Sequence, residues 1–240
     1  MRIKPAQAVI KRQTVTGSVA EELRRRIVSG EYAGGDQIRQ EAVAEELGVS
    51  RIPIREALLQ LEAEGLVVIH THKGAVVASL TAEDAVDLFE ARLALETLLL
   101  RKAVSAATPE DIARIDACMS EYERAVRSAA GPDMLSRLNW AFHTALCEPA
   151  RRPRMMAILL SLYTATDRYL RLQIETPRAK AKALADHRAL FDAFKAGRAA
   201  AAARLIKAHI TGAYGDVMKE LHPSGPEANR QAAPRARARA

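Results

Sequence analysis

The sequence has few cysteines, few aromatic residues and no long hydrophobic run, and each shortage excludes a class of protein. The two cysteines, Cys118 and Cys147, form no CxxC pattern, which argues against a disulfide scaffold and indicates a reducing cytosol. No run reaches the roughly 18 apolar residues that a membrane span needs. The first residues also lack the apolar centre of a signal peptide. We therefore expect a soluble, cytoplasmic protein with no membrane partner.

Aromatic residues make up only 4% of the chain, so its core must be built from Leu, Ile, Val and Ala. The apolar residues recur with helical spacing along almost the whole chain, which predicts a mostly α protein. The net charge of +7 is compatible with nucleic-acid binding. Because the charge is spread along the chain, position and not total charge must identify any DNA-binding part.

The first third of the chain has the order of a winged helix-turn-helix. Residues 1–14 form a basic arm without periodicity, which we expect to be flexible. Within residues 15–79, three helical segments precede two β-rich runs on either side of "HKG", which predicts a hairpin wing.

From residue 80 onward the pattern predicts a bundle of six helices that ends near residue 221. Thr81 is placed to cap the first helix, and Thr108 caps the second with Pro109 at its first helical position. Residues 222–240 are rich in Pro, Ala and Arg, which predicts a disordered tail.

The stretch "GVSRIPIREALLQLEAEGL" opens its helix with an unusual turn. Ser50 is placed to cap the helix with its hydroxyl, and Pro53 is tolerated in the first turn. Arg51 and Arg55 lie one turn apart, opposite the apolar stripe. Such a helix could offer both arginines to phosphates or guanines in the major groove. The alternative is a solvated surface helix whose arginines pair with Glu46 or Glu56.

The segment "LRRRIVSGEYAGGDQIRQEAVAEELGVSRIPIREALLQLEAEGLV" resembles the DNA-binding domain of the GntR family of bacterial transcription regulators. The resemblance implies DNA contacts from the opening turn of the third helix and from the tip of the wing. These residues are Ser50, Arg51, Pro53, Arg55, Lys73 and Gly74. Some family members have an arginine early in the second helix, where this chain has Glu41, so Arg39 is the candidate to replace it.

Histidines raise the question of a metal site. His70 and His72 alternate in the hairpin, but such a pair without a third ligand is typical of a polar wing edge. His143, His187 and His209 each lie on the apolar stripe of a different helix. One inward histidine is usually a hydrogen-bonded core residue. Three converging imidazoles suit Zn²⁺ or a similar ion.

Asn139 and Arg92 complete the candidate site in the helical part. Asn139 lies one turn before His143 and could add an oxygen ligand. Arg92 lies at the edge of an apolar face, where a guanidinium needs an anionic partner. Glu96, four residues later, is the structural partner, and a ligand carboxylate is the functional one.

The motifs "LFEARLALE", "NWAFHTAL", "DHRALFDAFKAGR" and "ARLIKAHI" resemble the FCD ligand-binding domain of the FadR subfamily, over about residues 81–212. Six helices fit its shorter, VanR-like branch. The resemblance implies that Asn139, His143, His187 and His209 bind a divalent metal, Zn²⁺ before Ni²⁺ or Mn²⁺. It also implies that Arg92 clamps a carboxylate. Family members commonly have Asp at the position of Asn139, and an amide is a weaker ligand.

The sequence therefore predicts a homodimeric transcription regulator, in this family usually a repressor. It would bind a short palindromic operator and respond to a small organic acid. The rival hypothesis is a metal-dependent hydrolase or lyase with an accessory DNA-binding domain. Against it, the only carboxylates near the histidines in sequence are Glu148 and Asp186, neither a convincing general base. An architectural DNA-binding protein without a ligand cavity is a third, weaker alternative.

Overall fold

The computed structural model describes residues 14–171 and 177–222. The chain divides into two compact units between Ser79 and Leu80. The arm predicted for residues 1–14, apart from Thr14, lies outside the described residues, as does the tail from residue 223 onward. In the described part of the chain, no helix is both long and apolar enough to cross a membrane.

The first unit is the predicted winged helix-turn-helix. Its elements are α1 (Val15–Val28), β1 (Gln37–Ile38), α2 (Gln40–Leu47), α3 (Arg51–Ala63), β2 (Val67–His70) and β3 (Gly74–Val77). The wing, however, is an antiparallel sheet of three described strands in the order β1-β3-β2, and not a hairpin alone. The sequence did not indicate β1, because two residues are too short to show an alternating pattern.

The core of the first unit joins α1 to α3. Leu23 and Ile27 of α1 are at most 1% exposed, and Ile54, Leu58 and Leu61 of α3 are equally buried. These are the stripes that helical spacing predicts. Burying each such side chain stabilises the unit by about 1.5–3 kcal/mol.

A charged cluster fixes α2 against α1. Arg26 is only 8% exposed, and its Nη2 lies 2.6 Å from Oε1 of Glu46 on α2. Its Nε also donates to Glu22, 2.7 Å away. Gly48 then turns the chain into α3 with a φ of 64°, a left-handed conformation that glycine adopts without strain.

The second unit is the predicted α-helical bundle. Its described α-helices are α4 (Ala82–Ala106), α5 (Pro109–Arg127), α6 (Pro132–Cys147), α7 (Pro153–Arg171), α8 (Pro177–Lys195) and α9 (Ala199–Leu221). A 3₁₀ helix, Glu148–Ala150, follows α6 where the sequence "EPARRP" predicts a break. The predicted mostly α fold is confirmed.

Two helix starts follow the predicted capping. Thr81 accepts a hydrogen bond from the backbone N–H of Asp84. Thr108 and Asp111 form a complete capping box at the start of α5, with Pro109 in the first turn. Because these caps satisfy N–H groups that lack helical partners, they fix where α4 and α5 begin.

Tyr169 of α7 fastens the first turn of α4. Its hydroxyl donates to Oδ2 of Asp84 at 2.7 Å and accepts from the N–H of Thr81 at 3.1 Å. Tyr169 is only 1% exposed, whereas Thr81 and Asp84 are exposed residues. The start of α4, which follows the division between the units, is therefore held by a residue 88 positions later.

We predict that Tyr169→Phe lowers the free energy of unfolding by about 0.5–1.5 kcal/mol, because it removes the hydrogen bonds that the hydroxyl makes with Asp84 and Thr81. Urea denaturation followed by circular dichroism measures the change. Tyr214→Phe is the matched control, since the ring of Tyr214 packs at a tilt against Phe89, with centroids 5.6 Å apart, and keeps that contact without its hydroxyl. Equal stability of the two variants would contradict the role given to Tyr169.

Candidate functional site

The start of α3 presents a polar surface opposite the core. Ile54 is fully buried, whereas Arg51 and Arg55 on the opposite side are exposed. Ser50 is also exposed and Pro53 is half-buried. The four residues predicted to contact DNA on this helix therefore lie together at its N-terminus, where the helix dipole favours phosphate.

The capping prediction for Ser50 was wrong in one respect. Ser50 occupies the N-cap position with extended backbone angles, but its hydroxyl makes no capping hydrogen bond. A capping oxygen accepts from the second or third helical N–H, and the third helical residue here is Pro53, which has no N–H. Pro53 thus removes one of the two donors that Ser50 could use.

The ion pairs of this region differ from those suggested by sequence. Nη1 of Arg51 lies 2.8 Å from Oε1 of Glu41 on α2, and both side chains are well exposed. Glu46 pairs instead with Arg26, and Glu56 accepts from Thr16. Such an exposed pair contributes about 0–1 kcal/mol, so Arg51 can exchange it for another anion at small cost.

The remaining residues of the predicted DNA surface are exposed or partly exposed. Arg39 is the N-cap residue of α2, where its side chain makes no capping bond. Lys73 lies in the turn between β2 and β3, and Gly74 begins β3 with a φ of 71°. His70 and His72 are exposed and belong to no cluster of potential metal ligands in the described residues.

In the second unit three helices bring three histidines together. His143 lies on α6, His187 on α8 and His209 on α9. One potential ligand atom from each lies within 4.8 Å of the other two. The ring centroids are 5.1 Å apart for His143 and His187, 5.2 Å for His143 and His209, and 4.9 Å for His187 and His209.

Carboxylates hold two of these rings and leave nitrogens free for another ligand. Nδ1 of His143 lies 2.9 Å from Oε2 of Glu96, and Nδ1 of His209 lies 3.2 Å from Oδ2 of Asp186. Nε2 of His143 and both ring nitrogens of His187 are buried without a hydrogen-bond partner in the described structure. Buried polar atoms normally have partners, so these nitrogens call for an explanation.

Burial also favours the neutral imidazoles that metals bind. Burial lowers the pKa of His143 to about 4, against the opposing effect of Glu96. It lowers the pKa of His187 well below its ordinary value, with further contributions from the other two histidines. Both rings are therefore neutral near pH 7 and can donate a lone pair.

The donor set fits a divalent metal. Imidazole nitrogens suit Zn²⁺, and a histidine whose other nitrogen contacts a carboxylate is the usual arrangement around it. His143 and His209 both have that arrangement. Asn139, the fourth predicted ligand, is 6% exposed and lies one turn before His143 on α6.

Arg92 lies deeper than its sequence pattern suggested. It is 1% exposed and not at the edge of the apolar face. Its Nε lies 2.5 Å from Oε1 of Glu96, which is the structural partner that the sequence offers. Its Nη1 has no hydrogen-bond partner among the described residues, so one donor remains for a ligand.

Sequence reasoning missed the contact between Glu96 and His143 and the aromatic walls around Arg92. Glu96 and His143 are 47 positions apart, so only their inward helical faces could have suggested the contact. The guanidinium carbon of Arg92 lies 4.8 Å from the ring centroid of Trp140 and 5.5 Å from that of Tyr163. Burial raises the pKa of Glu96, but the charge of Arg92 and the hydrogen bonds from Arg92 and His143 lower it more and hold it at about 2.

Comparison with known families assigns both units. The model of "Bacterial regulatory proteins, gntR family" matches residues 15–77, and the model of the FCD domain matches residues 87–212. The chain belongs to the GntR family. With its FCD domain it falls in the FadR subfamily, and its six described α-helices after Ser79 agree with the number expected of the VanR-like branch.

Individual relatives of this GntR regulator agree with the assignment. It is 29% identical over 190 residues to the HTH-type transcriptional regulator YdhC of Bacillus subtilis (strain 168), covering 79% of this chain and 84% of YdhC. It is 26% identical over 195 residues to the HTH-type transcriptional repressor GlaR of Escherichia coli (strain K12), covering 78% and 89%. The solved structure of E. coli McbR/YncC shares the fold, with a TM-score of 0.74 and 19% identity over 86% of this chain and 98% of the other.

Family membership answers the enzyme hypothesis: this GntR protein is a DNA-binding transcription regulator and not a hydrolase or lyase. The two carboxylates considered as general bases have other contacts. Glu148 lies 3.2 Å from Arg114, and Asp186 accepts from Lys182 and faces His209.

Proposed function

We propose that this regulator represses transcription and that a small organic acid, bound beside a divalent metal in the FCD domain, controls its affinity for the operator. The observation that carries the proposal is the cluster of three histidines with free buried nitrogens, together with the free Nη1 of Arg92. The ring nitrogens can donate lone pairs to a metal, and Nη1 of Arg92 can donate a hydrogen bond to an acid; none of these atoms has a partner within the described residues.

The metal would be held by His143, His187, His209 and Asn139, with Zn²⁺ preferred and Ni²⁺ or Mn²⁺ as alternatives. Three imidazoles and an amide oxygen bring no negative charge to the ion. When bound, the ion supplies a positive centre that attracts a carboxylate. The other buried charges, Arg92 and Glu96, form a neutral pair, so an anionic effector is the charge that the site lacks.

Arg92 would bind the acid through Nη1 while Glu96 keeps Nε. Charge-assisted hydrogen bonds of this kind contribute about 1.5–3 kcal/mol. A tenfold change in operator affinity requires only about 1.4 kcal/mol of coupling. The acid must bind the DNA-competent and the DNA-incompetent states with different affinity, because otherwise it shifts no equilibrium.

The operator would be read by the N-terminus of α3 and by the wing. Arg51 and Arg55 would reach phosphates or guanine edges, and Ser50 would reach phosphate with a hydroxyl that caps no helix. Lys73 and Gly74 at the wing turn, Pro53 on α3 and Arg39 before α2 complete the proposed surface.

We propose that a homodimer binds this operator, since a twofold dimer imposes a palindrome on the DNA that it reads. We also propose a cytoplasmic location, because the protein must reach the operator DNA that it binds. Size-exclusion chromatography with light scattering tests the dimer, and selection of bound fragments from random DNA tests the palindrome.

Trp140 provides a direct test of the effector site. It is the only tryptophan of the chain, and its ring lies 4.8 Å from the guanidinium carbon of Arg92. We predict that small organic acids screened with and without Zn²⁺ include at least one that changes the fluorescence of Trp140 and alters operator affinity. Arg92→Lys should lower the binding affinity for that acid at least tenfold, because lysine keeps the charge but loses the guanidinium geometry.

A matched variant separates the site from general charge effects. Arg101→Lys changes an exposed arginine on the same helix and should leave the acid titration unchanged. An acid that binds wild type and Arg92→Lys equally would contradict the clamp. The absence of any responsive acid, with or without Zn²⁺, would contradict control by this class of effector.

A further inference from the structure

We infer that Glu96 is a positioning residue that holds His143 in the tautomer with a free Nε2 and, with its other oxygen, fixes the guanidinium of Arg92. This inference rests on the proposed function, because it assigns Glu96 to the metal ligand and to the effector clamp together. It goes beyond the proposed function by linking the two through one side chain.

The geometry assigns one carboxylate oxygen to each neighbour. Oε2 of Glu96 lies 2.9 Å from Nδ1 of His143, and Oε1 lies 2.5 Å from Nε of Arg92. Glu96 is 1% exposed, so water does not compete for these oxygens. An ionised carboxylate only accepts hydrogen bonds, so Nδ1 of His143 must carry the proton and Nε2 must carry the lone pair.

An amide in place of this carboxylate cannot serve both neighbours. A glutamine at position 96 has one acceptor oxygen and one donor NH₂ group. Arg92 can only donate, so the amide oxygen must turn toward its Nε. The NH₂ group then faces Nδ1 of His143 and favours a lone pair there. The proton moves to Nε2, and the nitrogen that should bind the metal is blocked.

The second carboxylate of the cluster offers a control with the opposite expectation. One oxygen of Asp186 contacts both of its neighbours: Oδ2 lies 2.7 Å from Nζ of Lys182 and 3.2 Å from Nδ1 of His209. An asparagine there can place its single acceptor oxygen toward both donors. Asp186→Asn should therefore keep the tautomer of His209, although it removes the same charge as Glu96→Gln.

The first measurement needs no metal. Side-chain ¹⁵N NMR of the full chain, metal-free and near pH 7, reports which ring nitrogen of each histidine carries the proton. We expect Nδ1–H for His143 in wild type and Nε2–H in Glu96→Gln, with His209 unchanged in Asp186→Asn. Wild-type protein with the proton on Nε2 of His143 would overturn the inference, even if the glutamine variant fails to fold.

The second measurement is Zn²⁺ affinity by competition with a chromophoric chelator. We expect Glu96→Gln to bind Zn²⁺ about 10- to 100-fold more weakly, the usual effect of losing a carboxylate behind a histidine ligand. Asp186→Asn removes the carboxylate behind His209 but keeps the tautomer of that ring, so its loss of affinity should be smaller than that of Glu96→Gln. Equal losses in both variants would mean that charge and not tautomer matters, which contradicts the inference.

These outcomes separate the inference from the proposed function. If wild type binds no Zn²⁺, the proposed metal centre fails, whereas the NMR comparison still decides whether Glu96 sets the tautomer of His143. If wild type binds Zn²⁺ and Glu96→Gln keeps both the tautomer and the affinity, the metal centre stands and the role of Glu96 is wrong.

Discussion

Removing the proposed metal is expected to lower the melting temperature of the full chain by about 10 °C. A ligand at 1,000 times its dissociation constant stabilises the folded state by about 4 kcal/mol, and each kcal/mol shifts Tm by about 2–4 °C in a chain of this size. The physical reason is local. Without the ion, Nε2 of His143 and both nitrogens of His187 are buried with no partner in the described structure, and each such atom costs about 1–3 kcal/mol.

Differential scanning fluorimetry with a chelator and with added Zn²⁺ measures this shift, and elemental analysis identifies the ion. His187→Ala should lose the response to Zn²⁺. The matched control is His72→Ala, since His72 is exposed in the wing turn and should leave the response intact. An unchanged Tm, together with no metal in the purified protein, would return the three histidines to an ordinary role in the core.

Replacing Arg55 by alanine is expected to weaken operator binding by about 1–3 kcal/mol, or roughly 5- to 150-fold. Arg55 is exposed on α3 and has no hydrogen bond or ion pair within the described residues, so its loss should not disturb the fold. Arg51→Ala should act similarly, because the exposed pair that Arg51 forms with Glu41 is weak. Gel-shift titration on an operator selected with wild-type protein measures both variants.

Arg127→Ala is the control for this experiment. Arg127 is a 75% exposed arginine on α5 of the second unit, and its removal changes the net charge by the same amount. If Arg55→Ala and Arg127→Ala bind the operator equally well, α3 does not read DNA through Arg55. A uniform loss on all sequences would instead assign Arg55 to phosphate and not to a base.

The fold could be predicted from sequence where local rules act alone. The caps at Thr81 and Thr108 and the buried faces of α1 and α3 follow from hydrogen-bonding capacity and helical spacing, which neighbours in sequence decide. The three histidines were found in the same way, since each lies on the apolar face of its own helix. The two-residue strand β1 could not be predicted, because only its pairing with β3 makes it a strand.

The partners of the charged groups could not be predicted, because tertiary packing decides them. Arg51 pairs with Glu41 across two helices, and Arg26 pairs with Glu46 on another helix. Glu96 was recognised as a partner of Arg92 from their spacing, but its second contact depends on how α4 packs against α6. The spacing of residues within one helix cannot predict a side chain that contacts residues on two different helices.

Arg92 and His187 are 1% and 0% exposed, and this burial limits how fast an effector can bind. The proposed acid would reach these groups only when the helices around them part, so its association rate should level off at the frequency of that opening as the acid concentration rises. The regulator would then ignore pulses of acid shorter than the interval between openings. Transcription would follow the sustained supply of the acid and not its momentary fluctuations.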